Sequence, residues 1–146
     1  RGKEMRLAAI LFLAATATAQ PSWRTTLDAI RQVETGGCPN QGIGAKGDGG
    51  NAAGPFQVWR AYHTDAAERD RSLTDYRRCL ISRSYSERVV RAYMLRYARA
   101  ATLRLTQGIA TMADVERVAR IHNGGPRGHK KKATLAYWAK VRRAIK

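Results

Sequence analysis

The chain has 146 residues and a mass of 16.2 kDa, a length that fits one domain rather than two. Its 27 Lys and Arg against 11 Asp and Glu give a formal charge of +16, and its hydrophobic content of 44% excludes a polybasic disordered tail, which lacks apolar residues to bury. The charge points to a polyanionic partner (nucleic acid, an anionic membrane, or an acidic polymer such as a bacterial wall), and charge alone does not choose among these.

The first element is an export signal. Met5-Arg6 precede an unbroken apolar run from Leu7 to Ala15, and Thr16-Ala17-Thr18-Ala19 supply the small residues of a cleavage site, predicted after Ala19. The run has nine residues, too few for a bilayer span, which needs roughly 20. A buried N-terminal helix is the competing reading. Arg1 to Glu4 lie upstream of Met5 and read as a short extension. No later segment is long and apolar enough for a stable membrane anchor. Removal of residues 1–19 leaves a folded domain over 20–146 with a net charge of +14. Its two cysteines are Cys38 and Cys79. Export makes a bridge between them the expected state, contributing about 3–4 kcal/mol if unstrained. Two free buried thiols are the alternative.

Trp23, Leu27, Ile30 and Val33 recur at helical spacing and predict a first helix. Thr35-Gly36-Gly37 stops it. Residues 36–54 hold eight of the thirteen glycines, a composition that excludes helix and predicts tight turns with a short hairpin. Pro55 is suited to open the next helix, on which Val58, Trp59, Tyr62 and Ala66 form an inward stripe. Residues 67–83 read as charged, irregular and solvent-facing. Ser84 to Glu87 has capping-box form and introduces a long helix with Val89, Val90, Tyr93, Met94, Tyr97 and Ala101 inside. Thr111 to Asp114 is a second such cap. Its helix carries Val115, Val118, Ala119 and Ile121 and ends at Asn123-Gly124-Gly125-Pro126. A last helix from about Thr134 turns Leu135, Trp138 and Val141 inward. The predicted class is α+β and mainly helical, with a small irregular or β lobe inserted after the first helix.

Ten carboxylates remain beyond residue 19, and two stand apart. Glu34 closes the first helix, where the helix dipole disfavours a negative charge, and burial beside Val33 would disfavour it further. Asp48 sits among glycines in Lys46-Gly47-Asp48-Gly49-Gly50, where backbone N–H groups and water would be expected to keep it solvated and ionised. Two carboxyl groups in opposed environments can cleave a glycosidic bond: one gives a proton to the leaving oxygen, the other attacks or stabilises the cationic sugar. Acids at helix ends and in turns are also common for structural reasons, so placement alone leaves the plainer reading open.

Five ordered segments between residues 33 and 141 resemble the invertebrate-type (destabilase-like) lysozymes. Glu34-Thr35-Gly36-Gly37-Cys38 resembles the family's Glu-Ser-Gly-Cys. Gly54-Pro55-Phe56-Gln57-Val58 resembles Gly-Tyr-Phe-Gln-Ile, and Ala61-Tyr62-His63-Thr64-Asp65-Ala66 resembles Ala-Tyr-Trp-Thr-Asp-Cys. Tyr93-Met94-Leu95-Arg96-Tyr97 resembles Tyr-Met-x-Arg-Tyr. The most specific segment runs from Ala119 through His122-Asn123-Gly124-Gly125-Pro126 to Gly128, followed by Tyr137-Trp138. The resemblance implies a lysozyme fold over 20–146 and retaining hydrolysis of β-1,4 links between N-acetylmuramic acid and N-acetylglucosamine. It implies Glu34 as the acid catalyst and Asp48, the one carboxylate a little before the Gly-x-Phe-Gln segment, as its partner. The chain departs from the family in cysteine content: Ala53, Ala66 and His129 stand where cysteines are usual.

Gln57, Tyr62, His122 and Asn123 are candidate sugar contacts, although His122 also suits a helix terminus and Tyr62 suits a core. The three histidines show no metal-ligand spacing, so neither metal nor cofactor is expected. Trp59 and Trp138 are expected in the core. The expected partners are peptidoglycan and anionic wall polymers. Specific nucleic-acid binding is not expected, because no recognition motif accompanies the charge. Two alternatives stay open: a lytic transglycosylase, which needs Glu34 alone, and a non-enzymatic cationic antimicrobial that binds walls.

Overall fold

The computed structural model describes residues 19–146; the signal segment proposed for residues 1–19 lies, except for Ala19, outside them. Seven helices and a three-stranded sheet follow in the order α1 (Trp23–Thr35), β1 (Lys46–Gly47), β2 (Ala52–Ala53), β3 (Val58–Trp59), α2 (Arg60–Arg69), α3 (Arg78–Ile81), α4 (Arg83–Tyr97), α5 (Arg99–Gln107), α6 (Met112–Gly124) and α7 (Leu135–Ala144). The class is that expected, a helical body with a small lobe after the first helix.

Helix α1 starts at a reciprocal cap. The Thr25 amide donates to the Ser22 hydroxyl at 3.1 Å, and the Ser22 amide donates to the Thr25 hydroxyl at 3.0 Å. Leu27, Ala29 and Ile30 are buried in the common core. The helix ends at Thr35, whose hydroxyl donates to the Pro55 carbonyl at 2.8 Å. The lobe is an antiparallel sheet in the order β1-β2-β3, with Lys46 opposite Ala53 and Ala52 opposite Trp59. Gly54 turns β2 back at φ +71°, and a Cβ there would overlap the Cys79 carbonyl oxygen. A side chain at this position would separate lobe from body.

Several sequence expectations are corrected. Pro55 does not open a helix: it lies in a turn that Gln57, at φ 48°, carries into β3. Val58 is buried in that strand while Trp59 is 48% exposed, the two-residue alternation of a strand with one covered face. Residues 67–83 are not simply solvent-facing, because Leu73 and Cys79 belong to the core. The cap of α4 is Ser82, whose hydroxyl accepts from the Tyr85 amide at 3.2 Å, rather than Ser84. The expected long helix is divided at Ala98 (φ −141°, ψ 41°) into α4 and α5. This turn lets Ala101, Thr102 and Leu105 pack where α5 meets α6. Leu135 is exposed on α7. The cap at Thr111 forms as expected, its amide donating to Asp114 at 3.0 Å.

The Cys38–Cys79 bridge is absent. Cys79 is wholly buried and Cys38 is exposed, so one sulfur is inside the core and the other in solvent. Burial pushes the Cys79 thiol up to about 12. Because the thiolate is the reactive species, native protein should give one rapid thiol equivalent with a disulfide-exchange reagent and two in denaturant. Zero in denaturant would mean that a bridge forms.

Ion pairs tie the helices together. Glu87 of α4 accepts from Arg24 of α1 at 2.8 Å and from Arg83 at 2.9 Å, and Arg83 reaches Asp28 of α1 at 2.6 Å. Arg104 of α5 holds Asp114 of α6 through bonds of 3.0 and 2.6 Å. The arginine hydrogen bonds hold the Glu87 and Asp114 carboxyls below their ordinary values of 4.5 and 3.8. A depressed folded-state value adds stability that is present above the unfolded value and lost as pH falls through the folded one. The melting temperature should therefore lose this contribution only on acidification below about pH 4 to 5. Arg104→Gln should shallow that acid loss; an unchanged acid limb would exclude the pair as its cause.

Candidate active site

A cleft of about 420 Å³ between lobe and helical body is lined by Glu34, Gly47, Asp48, Gln57, Trp59, Tyr62, His122 and Asn123. All six residues expected at the site, Glu34, Asp48, Gln57, Tyr62, His122 and Asn123, share this one cavity. They come from α1, from the turn after β1, from the turn before β3, from α2 and from the last turn of α6.

Glu34 enters from the C-terminal turn of α1, its side chain 20% exposed. Its Oε1 accepts a hydrogen bond from the Tyr137 hydroxyl of α7 at 2.8 Å and lies 3.5 Å from His122 Nε2. Burial and the neighbouring Glu34 raise Tyr137 well above an ordinary phenol, so Tyr137 is a donor at neutral pH. Oε1 is thereby occupied.

His122 is held from both sides. Nε2 lies 3.0 Å from the Phe56 carbonyl, which can only accept, so Nε2 carries the hydrogen. Nδ1 lies 3.0 Å from the Tyr62 hydroxyl, which donates to it in that tautomer. Tyr62 stacks on Tyr93, with ring centroids 3.6 Å apart and planes at 11°, and burial raises its hydroxyl well above an ordinary phenol. His122 and Tyr62 are thus mutually satisfied and form the floor. Asn123, beside them, is exposed.

Asp48 is exposed at the tip after β1, opposite Glu34 in environment. Its backbone is in the left-handed region at φ 49°, as is that of Gln57 at φ 48°. Such conformations cost energy for residues other than glycine and persist where surrounding bonds determine them. At Gln57 the side-chain amide donates to the Gly54 carbonyl at 2.9 Å. At Asp48 the carbonyl accepts from Asn51 Nδ2 at 2.9 Å. Among the described residues no group of three His, Cys, Asp or Glu could hold a metal ion.

Sequence reasoning missed two residues here. Trp59 was expected in the core and instead lines the cleft. Tyr137 contributes the hydrogen bond to Glu34 from 103 residues away; the Tyr137-Trp138 pair figures in the resemblance, but nothing local to it points to that contact.

A glycine-rich lobe set against a helical body across a cleft is the layout of the lysozyme-type glycoside hydrolases that superpose on it. The destabilase family model matches residues 24–144. A lysozyme of Meretrix lusoria is 36% identical over 118 residues, covering 80% of this chain and 85% of that protein. A lysozyme of Ostrea edulis is 30% identical over 135 residues, covering 92% and 89%. The crystal structure of Tapes japonica lysozyme superposes with a TM-score of 0.62 at 30% identity, covering 84% of this chain and 92% of that one. The chain belongs to the destabilase family of invertebrate-type lysozymes.

Tyr137→Phe keeps the ring and removes the donor to Glu34. A lost hydrogen bond of this kind is worth about tenfold in rate. The expected outcome is a kcat about tenfold lower with KM nearly unchanged, measured on purified peptidoglycan. Equal loss in both constants, or a lower melting temperature accounting for the loss, would argue for a merely structural tyrosine.

Proposed function

We propose that the protein is a secreted muramidase in which Glu34 is the general acid and Asp48 the second carboxylate. Lysozymes of this family act on bacterial peptidoglycan, and the β-1,4 link between N-acetylmuramic acid and N-acetylglucosamine is the bond cut here. The observation that carries the reading is the asymmetry across one cleft: Glu34 is mostly covered and bonded to Tyr137, while Asp48 is open to water.

With a glycan strand in the cleft, Glu34 gives its proton to the glycosidic oxygen as the bond to the anomeric carbon breaks. Asp48 attacks or stabilises the anomeric carbon on the other face. Water then completes hydrolysis, with Glu34 now accepting a proton from it. The resemblance favours net retention. The exposed Trp59 and Asn123, with Gln57, offer an apolar face and polar groups to the sugars. Tyr62 and His122 act beneath them by fixing the floor. The basic surface supports adsorption to anionic wall polymers and steering toward them, an effect that salt screens. The apolar run at 7–15 supports secretion, and among the described residues no helix is long and apolar enough to cross a membrane.

The presence of Asp48 in the cleft favours hydrolysis over transglycosylation, which needs only the acid. Glu34→Gln should lower turnover of purified peptidoglycan by at least about 100-fold, and Asp48→Asn by about 100-fold. Mass analysis of the products should show reducing muramic ends. Anhydromuramic ends would replace the reading with transglycosylation. Wall clearance by Glu34→Gln at the wild-type rate would replace it with a non-enzymatic activity.

A further inference from the structure

The β1–β2 hairpin has two sides. Gly47 and Asp48 face the catalytic cleft. Lys46 and Gly50 line a separate groove of about 570 Å³, closed on its far side by residues of α3 and the loop before it. Arg60, Arg77 and Arg78 join Lys46 around this groove, against a single carboxylate, Asp75. Asp75 is engaged by Arg77, whose Nε and backbone N–H donate to it at 3.2 and 3.0 Å. Among the described residues Lys46, Arg60 and Arg78 make no ion pair, unlike the arginines that tie the helices together.

The two remaining guanidinium groups are nevertheless held in place. Arg60 lies over the ring of Tyr76 at 4.6 Å and Arg78 over that of Tyr85 at 4.5 Å. Both rings are anchored. The Tyr76 hydroxyl donates to the Val58 carbonyl at 2.8 Å, and the Tyr85 hydroxyl accepts from the Asp75 amide at 3.1 Å and meets His63 Nε2 at 2.9 Å. Stacking orients a guanidinium while leaving its charge and in-plane N–H donors available. The ordering cost is therefore met before a ligand arrives. Between these cations the groove exposes apolar surface, chiefly Ile81, which is 66% exposed.

We propose that this groove binds a polyol-phosphate polymer of the bacterial wall, its phosphates on Lys46, Arg60 and Arg78 and its carbon linkers on Ile81. Phosphates repeated along a short polyol chain match cations spaced around a groove, with the carbon atoms of the linkers able to lie against Ile81. A single-stranded nucleic acid fits less well, because it needs open aromatic faces for its bases and Arg60 covers the Tyr76 ring. The polymer's identity rests on the wall-hydrolase reading; the anion site itself does not. The shared hairpin places a bound phosphate polymer one strand away from a glycan in the cleft, so the two wall components are engaged together.

The test uses full-length protein and purified poly(glycerol phosphate) teichoic acid, with duplex DNA and phosphatidylglycerol vesicles as competing polyanions. The double variant Arg60→Gln/Arg78→Gln should bind teichoic acid about tenfold or more weakly. Lys46→Gln, at an exposed strand position, should shift binding the same way by less. Arg142→Gln/Arg143→Gln, outside the groove, should bind as wild type. Turnover of peptidoglycan stripped of teichoic acid should be unchanged in all of them, while the preference for walls that carry it disappears from the groove variants. Equal losses in groove and control variants would reduce the effect to diffuse charge. Losses as large for DNA or vesicles would assign the groove to those anions. Because binding is read independently of hydrolysis, failure of the muramidase reading leaves this result distinct.

Discussion

Two consecutive carbonyls hold the lobe to the helical body. The Pro55 carbonyl accepts from Thr35 at the end of α1, and the Phe56 carbonyl accepts from His122 at the end of α6. Both bonds are buried, and a buried carbonyl left without its donor costs about 1–3 kcal/mol. The clamp also registers the site. Thr35 directly follows Glu34, and Phe56 directly precedes Gln57, so anything that loosens the lobe moves the acid relative to the residues that face it. His122 lies beside both, bonded to the lobe, to Tyr62 and close to Glu34, which makes one imidazole the meeting point of α2, α6 and the lobe.

This arrangement gives the two carboxyl groups different surroundings without placing either in an extreme one. Glu34 is covered by α7 through Tyr137 and by His122, while Asp48 projects from a turn of mostly glycine neighbours. The asymmetry is produced by layering: one carboxyl belongs to the body and the other to the rim of the lobe. The left-handed backbone at Asp48 and Gln57 places the two lobe residues at the cleft at the expense of local strain.

The scaffold compensates for its lack of bridges through packing and ion pairs. Ala53 and Ala66, where the resemblance expects cysteines, are buried at 7% and 0% exposure, so small apolar side chains fill the space. The Arg24–Glu87–Arg83–Asp28 network joins α1 to α4, and Arg104–Asp114 joins α5 to α6. Part of the large basic excess is thus internal to the fold. Most of the remaining cations are spread over the surface, and three of those without an ion pair among the described residues, Lys46, Arg60 and Arg78, line the groove beside the β1–β2 hairpin.

The sequence by itself determined whatever depends on neighbouring residues. Helical spacing located α1, α6 and α7, glycine density located the lobe, and the Thr111–Asp114 cap announced α6. The same local logic set Glu34 and Asp48 apart from eight other acids without giving them a role, and the ordered segments of the resemblance, around Glu34, Gln57, Tyr62, His122 and Asn123, marked the candidates that the fold gathers into one cleft. Tertiary structure alone decided the rest. The break at Ala98 has no glycine or proline to signal it and follows from where α5 must meet α6. Trp59 faces the cleft because a two-residue strand, too short to show a period, pairs with Ala52. Cys79 is inside the core and Cys38 outside it, a matter of layers that spacing does not encode. Tyr137 reaches Glu34 only because α7 folds back over α1. The excess of basic charge divides in the same way: composition gives its sign and size, and only the fold separates helix-tying pairs from cations free to meet an anion.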